Sequence, residues 1–367
     1  MRRKPRVTPP QSPRFLVVKH RDPRAKPHMF DVILHWVDVN FPELSPLFYV
    51  RHLPLSSLRG LSRFALHLPW LQDPVQQWSM MAYYEANLIA AKCDEHGIPI
   101  INRVKRLINA TKSVAPPLIA SAGIRTPRTA LIQDGEEFRE TLLGLNLPLF
   151  VREDWGHGGL IRRADTHDDV RKMPLEGFTL PVAVELIDVR DPQDGLYRKY
   201  RYFAAGDQGI SHHLAITWDW KSSGQNRVIT EATRDEELSY ISKQDANHVT
   251  LQRARKALGL DLVAFDYGYD RDGAVVVWEA NPYPLVRFSR PGRLSYRNAA
   301  LHRTMLAILK MYLDYASLPV PARLEQLLDY QTSTLSFTGP IDDRVTSTIV
   351  ARPNPGNERA VSASRKR

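Results

Sequence analysis

The chain has 367 residues, 43% of them hydrophobic, which is enough for a core in one large domain or two to three smaller ones and excludes a disordered or fibrous chain. No run approaches the roughly 18 uninterrupted apolar residues of a membrane span, and the start MRRKPRVTPPQSPR lacks the apolar middle of a secretory signal, so the protein reads as cytoplasmic. The net charge of +10 is concentrated at the ends, where residues 1–14 carry five cations and no acid and residues 352–367 five cations and one acid; with the body nearly neutral, nucleic acid is at most a weak partner of two disordered basic tails.

From Phe15 the apolar runs FLVV and DVILHWVDV read as short strands of a small α/β unit, whereas Leu47 to Leu71 is rich in Pro, Ser and Arg and reads as irregular. Gln76 to His96 has helical apolar spacing through Trp78, Met81, Leu88 and Ile89, and Gly97 is a natural stop. The lone cysteine, Cys93, excludes a disulfide, a CxxC pair and a cysteine-built zinc site, and its position on this helix suggests a buried structural thiol. IPIIN (Ile98 to Asn102) reads as a strand and the stretch after Arg103 as helix. Next, IRTPRTALI is extended, Asp134 can cap a helix through Leu143, and PLFVRE is a strand from Pro148 to Glu153. A glycine loop, Gly156, His157, Gly158 and Gly159, leads into a strand at Leu160 to Arg163, and a short helix starts near Thr166. Three strands follow, LPVAVELID, LYRKYRYFAA and GISHHLAIT. A long helix from about Asp235 to Leu258 ends at Gly259, and a hairpin follows it. Tyr296 to Leu313 reads as an amphipathic helix and Pro319 to Tyr330 as a shorter one.

The hairpin carries the strongest chemical signal. Asp270, Arg271, Asp272 and Gly273 are turn residues between two apolar strands. If Asp270 pairs with Gly273, Asp266 faces Val277 and has Glu279 as its same-face diagonal neighbour, with Asn281 two residues further along that face. Three oxygen ligands then converge, and hard Mg2+ takes such oxygens together with substrate phosphates. A solvated hairpin face would use the same residue types, but Val275, Val276 and Trp278 mark a buried strand, where a carboxylate needs a partner. The glycine loop lies just past a strand carrying Arg152; such loops are commonly plain turns, yet they also let backbone N–H groups approach phosphate.

In this order the pieces from about Ile100 to Pro284 resemble the ATP-grasp superfamily, most specifically at WEANPYP, which looks like the family's ending of an acidic residue, a spacer, Asn and Pro. The resemblance implies an α/β (α+β) fold with antiparallel sheets flanking a nucleotide cleft. It divides the chain into an N-terminal α/β domain at 15–110, the ATP-grasp domain at 111–300, a helical segment at 301–335 and a tail at 336–367. It also implies site roles. Lys112 in NATKS looks like the first ATP-contacting lysine, and Arg152 stands where the family has a second lysine, offering a planar fork instead of a point charge. GHGG resembles the loop over the phosphates, although it is short. Glu185, Leu186 and Ile187 look like the hinge that binds adenine through backbone groups, with Asp188 towards ribose. Lys199 and Arg201 match the basic strand, and Asp266, Glu279 and Asn281 match the metal ligands. The implied cofactors are ATP and Mg2+, with Mn2+ as a substitute, and the implied partners are a small-molecule or peptide carboxylate and an amine or thiol. Arg201 and Arg287 would orient the acyl group. A kinase and a non-catalytic nucleotide-binding scaffold with RNA-binding tails are the alternatives.

Overall fold

The computed structural model describes residues 14–20, 29–55, 57–71, 74–155, 159–222, 226–284, 286–329 and 335–337. The first sheet is parallel. Strand β1 (Phe15–Lys19) lies between β2 (Phe48–His52) and β3 (Leu66–Trp70). Both outer strands come from the stretch expected to be irregular, because parallel pairing with β1 supplies the ladder that local composition does not indicate. Helix α1 (Met29–Asn40) replaces the strand expected at DVILHWVDV. Its β-branched residues favour a strand locally, but Ile33, Trp36 and Val37 recur at helical spacing and are fully buried together, and that burial decides.

A short α2 (Val75–Trp78) precedes α3 (Met80–Glu95), whose Ser79 cap accepts from Ala82 N–H. The buried face of α3 is Ala82, Ala86, Ile89 and Cys93, while Met81 and Leu88, expected inside, are exposed. Small side chains here let the helix lie close on its neighbours. IPIIN forms only one bridge, Ile100 to His67, and residues Val104–Ala110 are a 3-10 helix. Helix α4 (Ala115–Ser121) accommodates Pro116 and Pro117 in its first turn, where missing N–H groups cost nothing.

The second sheet contains β4 (Thr129–Leu131), β5 (Leu149–Glu153), β6 (Ile161–Ala164) and β7 (Pro181–Glu185) in the antiparallel order β4-β7-β5-β6. Between its strands lie α5 (Gly135–Thr141), capped by Asp134, and α6 (His167–Arg171), closed by a capping box of Thr166 and Asp169. The third sheet holds β8 (Tyr197–Ala205), β9 (Gln208–Thr217), β10 (Leu262–Tyr269) and β11 (Val275–Asn281) in the antiparallel order β11-β10-β8-β9. The long helix expected after β9 is two helices, α7 (Glu231–Ile241) and α8 (His248–Leu258). Asp245 interrupts it, since its carboxylate accepts from Asn247 N–H at 2.8 Å and from the hydroxyls of Tyr240 and Tyr267. Helix α9 (Asn298–Tyr315) is buried over most of its circumference, with every residue from Ala300 to Leu309 inside, and α10 (Ala322–Leu328) packs on it. It is a core helix, not the amphipathic one its spacing suggested. No helix among the described residues is long and apolar enough to cross a membrane.

Two irregularities of the third sheet share one row. Between β10 and β11 the register slips after Asp266, leaving Trp278 as an extra residue; between β8 and β9 it slips after Arg201, leaving His212 as an extra residue. The turn also closes one residue later than expected, because Asp270 donates its N–H to Ala274 and takes the N–H groups of Asp272 and Ala274 on its carboxylate. Asp266 therefore faces Glu279 directly instead of Val277.

Candidate active site

The second and third sheets face each other across a cavity of about 180 Å³. One wall comes from Thr129, Phe150, Arg152, Ile161 and Val184. The other comes from Tyr197, Lys199, Thr217, Asp266, Trp278 and Glu279, and the segment Glu185 to Ile187 joins the two. Strand alternation explains the convergence: Phe150 and Arg152 are two apart on β5 and share a face, and a bulge next to the row re-aims Trp278 towards the cavity.

Across the third sheet, cross-strand partners place Glu279, Asp266, Arg201 and His213 in one row over four strands. Asp266 is 1% exposed and is gripped by Arg201 in a two-pronged contact, Nε to Oδ1 at 2.6 Å and Nη2 to Oδ2 at 2.8 Å, with Lys199 Nζ at 3.1 Å from Oδ2. Burial pushes the Asp266 carboxyl up, but the charges of Arg201 and Lys199 outweigh it and hold the group below the usual carboxylate range. Lys112 Nζ lies 3.3 Å from Glu279 Oε1. The next group in the row, His213, hydrogen-bonds His212 between their Nδ1 atoms at 2.8 Å. Burial first, and the nearby Arg201 second, push His212 down to about 3 and His213 well below its ordinary value, so both rings are neutral at neutral pH.

The other sequence candidates divide. Lys112, Arg152, Glu185, Leu186, Ile187, Lys199, Asp266 and Glu279 line the cavity. The backbone N–H groups of Glu185 and Leu186, expected to serve adenine, already donate to Arg128 O and Pro148 O, so this segment's remaining contribution is its carbonyls and Ile187. Asp188 points away, with its carboxylate on Arg190 and Arg271; the Arg190 contact holds it far below the usual range. Asn281 is buried beyond the cavity lining, and its Oδ1 accepts from Tyr283 N–H at 2.9 Å. Arg201 lies behind the lining, on Asp266, and Arg287 is half-buried between Val286 and Phe288, also outside the lining. Gly156, His157 and Gly158 lie outside the described residues; Gly159 has a left-handed φ of 88°.

Sequence reasoning missed Phe150 and Trp278 as lining residues and leaves Trp220, like Trp155 and Trp218, open between core and cavity. Phe150 was available from strand alternation, two residues before Arg152. Trp220 lines the cavity with its ring 5.3 Å from Phe150 and Arg163 stacked over it at 5.4 Å, and nothing local distinguishes it from Trp218.

Among the described residues no group of three or more His, Cys, Asp or Glu is arranged to hold a metal. The carboxylates of Asp266 and Glu279 face each other on paired strands and are of the hard oxygen type a magnesium-type cation takes, but Arg201 and Lys199 already engage both Asp266 oxygens and Asn281 stands outside the lining. The Asn281 oxygen keeps a second lone pair after accepting from Tyr283.

Two four-stranded antiparallel sheets facing each other across a cavity rich in cations and carboxylates define an α+β architecture. No protein-family model matches the chain, and no curated protein matches it in sequence. Solved structures do match in shape. The VanG D-Ala:D-Ser ligase of Enterococcus faecalis has a TM-score of 0.52 at 14% identity, over 82% of this chain and 100% of that one. The D-alanine–D-alanine ligase of Bacillus anthracis, complexed with ATP, has 0.50 at 14% identity over 83% and 97%. The ATP-grasp ligase PsnB, complexed with a phosphomimetic variant of its minimal precursor, Mg and ADP, has 0.50 at 16% identity over 88% and 99%. The chain has the ATP-grasp fold.

Proposed function

We propose that the protein is an ATP- and Mg-dependent ligase that joins a carboxylate to an amine, or to a thiol, through an acyl phosphate. One observation carries the reading. Asp266 and Glu279 face each other on paired strands at a cavity, each beside a lysine, with Arg152 on the opposite wall.

In this reading Lys112, Arg152 and Lys199 neutralise the nucleotide's phosphate oxygens, while Phe150, Trp220, Leu186 and Ile187 surround its base and exclude water. Asp266 and Glu279, with Asn281, would hold magnesium, which supplies charge neutralisation at the β- and γ-phosphates. Arg201 and Arg287 would orient the acyl group from behind the lining, Arg201 acting through Asp266, which it fixes by its two-pronged contact. The γ-phosphoryl group passes to the substrate carboxylate. The amine nitrogen then bonds to the acyl carbon as the carbon–oxygen bond to phosphate breaks, and the amine's proton leaves to solvent. The chain itself need supply no covalent nucleophile. The ligases of similar fold lend weight to carboxylate–amine chemistry as a class, and PsnB's precursor extends the acceptors worth testing to peptides.

Product analysis with wild-type protein, Mg-ATP and a panel of carboxylic acids tests the proposal. A ligase releases ADP and phosphate, gives a hydroxamate when hydroxylamine replaces the amine, and gives an amide with the right acceptor. ADP without free phosphate, together with a phosphorylated alcohol, would identify a kinase instead.

A further inference from the structure

Lys112 lies in the turn between the 3-10 helix Val104–Ala110 and α4, on the side of the molecule that packs against β11. Its backbone is not held from that side alone. Lys112 N–H donates to the carbonyl oxygen of Asp154 at 2.9 Å. The next residue, Ser113, donates its N–H to Asp154 Oδ1 at 2.7 Å and its hydroxyl to Oδ2 at 3.0 Å. Asp154 follows β5 directly, two residues after Arg152, and is 4% exposed; its own N–H continues the sheet by donating to Leu180 O. A buried carboxylate that hydrogen-bonds two donors on one neighbouring residue fixes that residue's backbone. Here the fixed residue adjoins the cavity lysine.

We propose that Asp154 is a positioning residue that aims Lys112 into the phosphate end of the cavity, so that recognition of the triphosphate, and not of the nucleoside, depends on it. This rests on the reading of Lys112 as a phosphate contact. Lysine is a flexible point charge on a four-carbon stem, and its attraction for phosphate depends on where its Cα is held. With Asp154 in place, the Lys112 Cα is anchored to the end of the strand that carries Arg152, and its ammonium spans to Glu279 on the opposite sheet. The two cations that face the nucleotide's phosphates are thereby tied into one rigid unit. A purely structural tie would affect all ligands of the cavity equally; a positioning role affects only those bearing phosphates.

The test is calorimetric titration of the full chain, with Mg2+, against the non-hydrolysable triphosphate analogue AMPPNP and against adenosine. Asp154→Ala is expected to weaken AMPPNP binding about tenfold or more, the scale of lost hydrogen bonds to a charged group, while adenosine binding stays within about twofold. Asp154→Asn is isosteric; its oxygen still accepts from Ser113 N–H and its amide donates to Ser113 Oγ, so it should retain AMPPNP binding within about threefold. Equal weakening of both ligands by Asp154→Ala, no weakening of either, or an Asn variant as defective as the Ala variant would each overturn the proposal. Lys112→Ala separates this inference from its premise. If that variant binds AMPPNP and adenosine in the wild-type ratio, the phosphate reading of Lys112 itself fails. If it lowers the ratio and Asp154→Ala does not, only the positioning role falls.

Discussion

Asp266→Asn removes one negative charge from a buried position where Arg201 and Lys199 stay charged. At an effective dielectric of about 20, each such contact is worth roughly 4 kcal/mol of attraction at ~4 Å between charge centres, offset in large part by the cost of burying the charges. What the substitution exposes is the orphaned partner, and removing one member of a buried pair typically costs about 3–5 kcal/mol. Arg201 and Lys199 keep some contact with solvent, at 18% and 23% side-chain exposure, which places the expectation near the lower bound, about 3 kcal/mol. In urea unfolding followed by far-UV circular dichroism, without nucleotide and with a chelator present, the midpoint should fall by about 1 M for an m-value near 3 kcal/mol/M. The sign with pH follows from linkage. The Asp266 carboxyl sits below its ordinary value in the fold, so its contribution is complete above the unfolded pKa of about 3.9 and is lost as pH falls through the folded value. The gap between wild type and variant should therefore be constant from about pH 5 to 8 and shrink under stronger acid. An unchanged midpoint at neutral pH, or a gap that persists undiminished in acid, would refute the reasoning.

Trp220→Ala should weaken adenosine binding by about 1–3 kcal/mol, the usual worth of one aromatic stacked on a base, and calorimetry showing no loss would remove Trp220 from the base site. Cys93 is buried, and burial first, with Asp94 second, pushes its thiol up to about 12, so the native protein should resist a disulfide reagent at mildly alkaline pH and react on unfolding; equal rates in both states would contradict its placement. A Cβ at Gly268 would come within 2.9 Å of both the Trp278 ring and the carbonyl oxygen of Arg198, so Gly268→Ala should dislodge Trp278 from the cavity wall, read as a shift in tryptophan emission and weaker nucleotide binding; wild-type emission with wild-type affinity would show that the ring is held some other way.

How much of this was legible in the sequence depends on whether local pattern and tertiary partner agree. Strands β7, β8 and β9 were readable because apolar alternation and turn residues coincide there. Helix α1 was not, since its β-branched run points to a strand and only burial against the core selects the helix. Strands β2 and β3 depend on parallel partners far away in the chain, which no local window reveals. In the candidate site, Asp266 and Glu279 stood out because charge in a buried strand is rare, whereas Lys112 and Lys199 were marked only by the resemblance; the four do meet at one cavity. Their apolar companions Phe150, Trp220 and Trp278 carry no such mark. The direct apposition of Asp266 and Glu279 was invisible as well, because it follows from one extra residue in a ladder and the closure of one turn.

That extra residue has an evolutionary corollary. Removing a residue from the middle of a strand ordinarily reverses the facing of all that follows. Excising Trp278 would not, since Val277 already pairs with Tyr267 and Glu279 with Asp266; the ladder would simply become regular. The same holds for His212, which stands between Ser211, paired with Tyr202, and His213, paired with Arg201. The cleft's shape could thus be retooled by single-codon gains and losses at two points while the Glu279–Asp266–Arg201–His213 alignment stays in phase.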